Sequence, residues 1–145
     1  RHFKLPRFQN EIYGSFFTLM AFIAEEIHDQ GRQGGVESIW QSVSFINEHF
    51  SKKMTLESLS EMFGYSPSRF SHLFFHVTGT SPMAYLRNVQ LENARELLSY
   101  AQTSVKEVAL YCGFTDQLYF CKAFKKRYGV SPSEFKKSIE LMERE

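Results

Sequence analysis

The stretch GTSPMAY, Gly79–Tyr85, returns about fifty residues later as GVSPSEF, Gly129–Phe135. Working outward from both copies lengthens the match. LESLSEMFGYSPSRFSHLFFHVTGTSPMAY, Leu56–Tyr85, aligns with VKEVALYCGFTDQLYFCKAFKKRYGVSPSEF, Val105–Phe135. Leu56 falls on Val105, Leu59 on Val108, Phe63 on Cys112, and Gly64-Tyr65 on Gly113-Phe114. After one inserted residue, Phe70 falls on Phe120, Phe74 on Phe124 and Gly79 on Gly129. The apolar skeleton and the turns repeat. The face between them changes: Ser68, Arg69, Ser71 and His72 in one copy, Gln117, Leu118, Tyr119, Cys121 and Lys122 in the other.

The periodicity is helical throughout, with no sustained period-two pattern. Ile12, Phe16, Leu19, Ile23 and Ile27 step by four and three, and Ile39, Val43, Ile46 and Phe50 do the same. Between these stripes DQGRQGG, residues 29–35, reads as a linker. Ser66-Pro67, Ser81-Pro82 and Ser131-Pro132 each set an N-cap hydroxyl before a proline at the first helical position. The serine oxygen accepts from a free backbone N–H, and proline there loses no hydrogen bond. Ser104 with Glu107, and Ser131 with Glu134, have the spacing of capping boxes. Gly79, Gly113 and Gly129 stand where helices should end.

Each copy therefore reads as a short bracing helix, a tight turn and a second helix of about a dozen residues, the helix-turn-helix pattern. The expected fold is all-α: two helix-turn-helix subdomains joined by a long connector helix and preceded by an amphipathic helix. The expected divisions are residues 1–28 as the tail of an upstream domain, 29–35 as linker, and 36–142 as the repeat-bearing domain. Within it the first unit covers about 55–78, the connector 82–100 and the second unit about 104–128.

At 145 residues the chain has room for one ordinary domain, or one domain and a fragment. It begins at Arg1, as expected of a piece of a longer protein. No apolar run approaches the roughly 18 residues that cross a bilayer, and no secretory leader is read, so no membrane partner is expected. Two cysteines, Cys112 and Cys121, do not make a disulfide framework. A reducing, cytoplasmic setting is the expectation. The net charge of +1 conceals an uneven distribution. Residues 101–137 hold seven basic and three acidic side chains, a local +4. Such an excess suits a polyanion partner or a solvated lysine-rich helix face.

In a helix-turn-helix unit the second helix presents its polar face to a groove. The B-DNA major groove, about 12 Å wide, admits one helix. A connector over residues 82–100 would be roughly 28 Å long at about 1.5 Å per residue. That is the scale of the ~34 Å between successive turns of the duplex. The stretches LESLSEMFGYSPSRFSHLF, TGTSPMAYL, LENARELL and SVKEVALYCGFTDQLYFCKAFKKRYGVSPSEFK resemble the DNA-binding domain of the AraC/XylS transcription regulators over about residues 36–137. The resemblance implies recognition helices at about 67–78 and 116–128. It implies base-reading positions at Ser68, Ser71 and His72, and at Gln117, Leu118, Cys121 and Lys122. It further implies an upstream sensor domain that dimerises and binds a small-molecule effector, and control of RNA polymerase, with activation the expected outcome. Two positions depart from the family pattern: Phe75-His76 where Lys or Arg is frequent, and Gln90 where Arg is common.

The residue types suit double-stranded DNA. Gln117 can pair with the N6/N7 edge of adenine, Lys122 can donate to guanine or phosphate, and His72 can donate to guanine. Arg69 and Tyr119 complete the candidate base-reading face. Lys106, Lys125 and Lys126 are candidate phosphate neighbours, since Phe124 must face the core. Thr55 and Ser104, which open the bracing helices, are either phosphate contacts or simple caps. Cys121 reads as an exposed redox switch or as a plain small side chain. His72 and His76 have metal-ligand spacing, but no set of further ligands accompanies them, so no metal and no cofactor is expected. No catalytic constellation stands out, and no enzyme activity is expected. The stripe Ile12, Phe16, Leu19 and Ile23 has two readings, a homodimer seam or packing on an upstream domain. The competing function is a helical protein-interaction module without sequence-specific DNA binding.

Overall fold

The computed structural model describes residues 33–100 and 103–142. The stripe Ile12, Phe16, Leu19 and Ile23 lies outside them. The chain divides at Gly34/Gly35, and the larger part, Gly35–Glu145, holds every described residue except Gln33 and Gly34. The described residues form seven helices and no strand. They are α1 (Gln33–His49), α2 (Leu56–Met62), α3 (Pro67–Thr78), α4 (Pro82–Ser99), α5 (Val105–Tyr111), α6 (Gln117–Tyr128) and α7 (Pro132–Met142). None of the described helices is long and apolar enough to cross a membrane. Helix α1 begins inside the stretch read as linker, so Gln33, Gly34 and Gly35 are helical. Glycine in a helix costs about 1 kcal/mol relative to alanine. Here the packing of Ile39, Val43 and Ile46 downstream outweighs that local preference.

Two aromatic cores organise the unit. The first joins Ile39, Val43 and Ile46 of α1, Leu59 of α2, Phe70 and Phe74 of α3, and Leu86 of α4. The second joins Leu91, Ala94 and Leu98 of α4, Val108 and Ala109 of α5, Cys112, Phe114, and Phe120 and Phe124 of α6. Helix α4 thus gives its first half to one core and its second half to the other. Phe50 packs against both. After Pro82 this helix contains neither glycine nor proline, so nothing in it invites a kink.

The repeated phrase has a structural cause. Gly79 and Gly129 take left-handed φ angles of 75° and 81° and donate back to Phe75 O and Lys125 O, which closes α3 and α6. Pro82 and Pro132 are buried. The last aromatic of each phrase then meets the second helix of its own unit: Tyr85 lies edge-on to Phe74 at 5.7 Å, and Phe135 edge-on to Phe124 at 5.8 Å. The Phe70–Phe74 and Phe120–Phe124 ring pairs are each 5.7 Å apart.

The helix starts are capped as the serine spacings suggest. Ser66 accepts from Arg69 N–H and Ser81 from Ala84 N–H. At α5, Ser104 Oγ accepts from Glu107 N–H while the Glu107 carboxylate accepts from Ser104 N–H at 2.8 Å. The backbone and hydroxyl of Ser104 hold the Glu107 carboxyl below its ordinary range. Ser131 and Glu134 are paired the same way. Thr55 forms a reciprocal pair with Ser58, which the S/T-x-x-E rule does not flag because a serine replaces the acid.

Candidate nucleic-acid interface

Both second helices bury one stripe and expose the other. In α3, Phe70 and Phe74 face the core, while Ser68, Arg69 and His72 are exposed and Ser71 is half-buried. In α6, Phe120 and Phe124 face the core; Gln117, Leu118, Tyr119 and Lys122 are exposed and Cys121 is half-buried. Leu118 is 73% exposed, which core packing does not require of an apolar side chain. Tyr119 is 50% exposed and is engaged from within, its ring 4.5 Å from the Arg87 guanidinium and 6.4 Å from Phe114.

Asp116 caps α6, its carboxylate accepting from Leu118 N–H at 2.8 Å and Tyr119 N–H at 3.3 Å. The sequence signal was there: an aspartate just before the first helical residue. The bracing helices are capped from within as well. Thr55 accepts from Ser58 N–H and Ser104 from Glu107 N–H. The Ser104 N–H is already held by a carboxylate. A phosphate there would compete with that charge.

The basic excess of residues 101–137 separates into two groups. Lys136 donates to Thr103 O at 2.7 Å and lies 4.0 Å from Glu140. Arg127 pairs with Glu92 at 3.4 Å. These two have partners within the chain, Arg127 while still exposed. Lys106, Lys122, Lys125, Lys126 and Lys137 are exposed. Lys125 and Lys126 also sit in the last turn of α6, where the helix dipole favours cations. The equivalent positions after Phe74 carry Phe75, 59% exposed, and His76. Helix α3 therefore lacks the lysine pair of α6.

Gln90 shows what the departure at that position does. It is 5% exposed and donates from Nε2 to Phe50 O at 3.0 Å. Its amide ties α4 to the end of α1 beside Gly113, at the junction of the two cores. Cys112 is sealed in the second core, and burial pushes its thiol up to about 12. It is therefore inert as a nucleophile. Among the described residues no group of three or more metal-ligating side chains assembles, and His72 and His76 stand without further ligands.

Two helix-turn-helix units, each with an exposed second helix and sharing one connector, define a DNA-binding protein of the helix-turn-helix class. A helix-turn-helix domain model matches residues 59–138. The raffinose operon transcriptional regulatory protein RafR of Pediococcus pentosaceus is 37% identical over 130 residues, which cover 90% of this chain and 47% of RafR. The arabinose operon regulatory protein of Escherichia coli is 35% identical over 101 residues, covering 69% of this chain and 35% of that protein. The DNA-binding domain of AdpA, solved in complex with a target DNA, superposes with a TM-score of 0.69 at 26% identity, covering 72% of this chain and 94% of that one. The chain belongs to the AraC/XylS family of helix-turn-helix transcription regulators. It spans from about a third to about half of the length of these curated relatives.

Proposed function

We propose that this chain reads double-stranded DNA in a sequence-specific manner, with α3 and α6 in successive major grooves, and that the whole protein activates transcription by recruiting RNA polymerase. The observation that carries the reading is the shared connector. Helix α4 contributes to both cores, so the two exposed reading faces belong to one frame. Its 18 residues span about 27 Å, commensurate with a ~34 Å duplex turn. Base readers are Ser68, Arg69, Ser71 and His72 in the first groove, and Gln117, Leu118, Tyr119, Cys121 and Lys122 in the second. Leu118 offers the apolar surface that suits a thymine methyl. Lys106, Lys125 and Lys126 contact phosphates, which fixes register and brings salt dependence. Thr55 and Ser104 act first as caps. An effector-binding, dimerising domain upstream and action in the cytoplasm complete the proposal.

Selection from random duplex pools at two salt concentrations tests it. A selected motif with two half-sites about one helical turn apart supports it. Indifference to sequence and to salt favours a helical protein-interaction module. Gln117→Ala and Lys122→Ala should each weaken the selected site by about 1–3 kcal/mol, roughly 5- to 150-fold, and bulk DNA much less. Equal losses on both duplexes would count against base reading. Phe75→Lys restores a cation where α6 has Lys125. It should tighten bulk-DNA binding at low salt and steepen the slope of log affinity against log salt by about 0.9. An unchanged slope would mean that this end of α3 lies away from phosphates.

A further inference from the structure

Arg87 stands on the first half of α4 and reaches across to the second unit. Its guanidinium lies 4.5 Å from the Tyr119 ring centroid and 5.3 Å from that of Phe114. Nε and Nη1 are shut off from solvent and have no hydrogen-bond partner. Nη2 is not shut in this way. The ion pairs of the described residues are Arg127–Glu92 and Lys136–Glu140, so no carboxylate among the described residues neutralises Arg87. A buried donor left without an acceptor is uncommon in a folded protein and calls for a cause. For a cation the cost is larger still. Two aromatic faces offset part of it, because the ring quadrupole attracts a cation. They leave the guanidinium without an acceptor, and Nη2, the nitrogen that is not shut from solvent, is where a phosphate oxygen can reach it.

We propose that Arg87 is a phosphate anchor: with the duplex bound, its guanidinium donates to a backbone phosphate flanking the groove that α6 enters. The proposal rests on the DNA-binding reading above. The location favours phosphate over a free carboxylate ligand. Tyr119, which supports the guanidinium, belongs to the same exposed first turn as Gln117 and Leu118. An anion that meets Arg87 beside that turn is one bordering the reading face. Because Arg87 comes from the connector and its rings from the second unit, the contact would also brace α6 against α4 while DNA is held.

The test is fluorescence anisotropy of the intact chain with a labelled random-sequence duplex and with the selected duplex, across a salt series. Arg87→Met should weaken both duplexes alike and flatten the slope of log affinity against log salt by about 0.9, one phosphate contact. Arg87→Lys, which keeps the charge, should restore the slope. Thermal melts accompany each variant, since lost stability alone lowers affinity without removing a counterion. If Arg87→Met unfolds, a measurement on the unmutated chain decides: the Arg87 Nη–H resonances should shift and exchange more slowly on adding duplex. An unchanged slope in folded Arg87→Met, or an unmoved resonance, overturns the anchor and leaves the DNA-binding reading standing. If the unmutated chain binds neither duplex, both fall.

Discussion

Phe124→Ala should disrupt the second unit, and Phe74→Ala the first. Deleting a buried phenylalanine costs about 3–5 kcal/mol, against a total stability of about 5–15 kcal/mol for a domain. Phe124 is fully buried and is met by Phe120 at 5.7 Å, Tyr128 at 4.6 Å and Phe135 at 5.8 Å. Its removal leaves a cavity bordered by three other aromatic rings. Phe74 is equally enclosed, between Phe70 and Tyr85. A melt followed by circular dichroism should fall by at least ~10 °C for either variant. Leu118→Ala, at an exposed site, should stay within about 0.5 kcal/mol of the parent. A Phe124→Ala protein that melts like the parent would contradict the repeat alignment itself.

Gly113→Ala should be nearly as damaging, for a different reason. Gly113 has a φ of +84°, and an added Cβ would lie 2.9 Å from Gln90 Nε2, 3.0 Å from Ser51 O and 3.1 Å from Phe50 O. A left-handed backbone costs a non-glycine residue about 1–2 kcal/mol. Overpacking adds about 1–3 kcal/mol, since two of the three obstacles are carbonyl oxygens of the main chain and cannot rotate away. The expected loss is roughly 2–5 kcal/mol. Gly64 is the control. It occupies the same place in the first copy, with a φ of +75° and nothing within 4 Å of the added carbon. Gly64→Ala should therefore lose only the conformational part. Equal melting temperatures for the two variants would show that the crowding at Gly113 relaxes freely. The crowding also sits where α1, α4 and the α5–α6 turn meet. Gly113→Ala should thus weaken a duplex with two half-sites more than one with a single half-site.

Much of this architecture was legible in the residues because its causes are local. Capping depends on side chains three positions apart, so Ser66, Ser81, Ser104 and Ser131 marked helix starts without tertiary information. The second helix of each unit was legible because Phe70/Phe74 and Phe120/Phe124 are one helical turn apart, which fixes the buried stripe and leaves the rest exposed. The start of α1 was not legible. Two glycines argue for a linker, and only the packing of Ile39 and its neighbours carries the helix through them. The division of cations was also hidden. Lys136 is spent on Thr103 O, 33 positions away in the chain, and Arg127 on Glu92, 35 away.

The sequence by itself determined that two similar helical units exist, where their helices begin and end, and which side chains their second helices leave exposed. All of that comes from spacings within a turn or two of helix. Only the tertiary structure decided how the units are joined: Phe50 wedged against both cores, Gln90 holding the Phe50 carbonyl beside Gly113, and Arg87 laid on Tyr119 with its donors unmatched. Those contacts link residues far apart along the chain, Gln90 and Phe50 by 40 positions. No local periodicity records them, because what brings such residues together is the shape left over once each helix has buried its own apolar face.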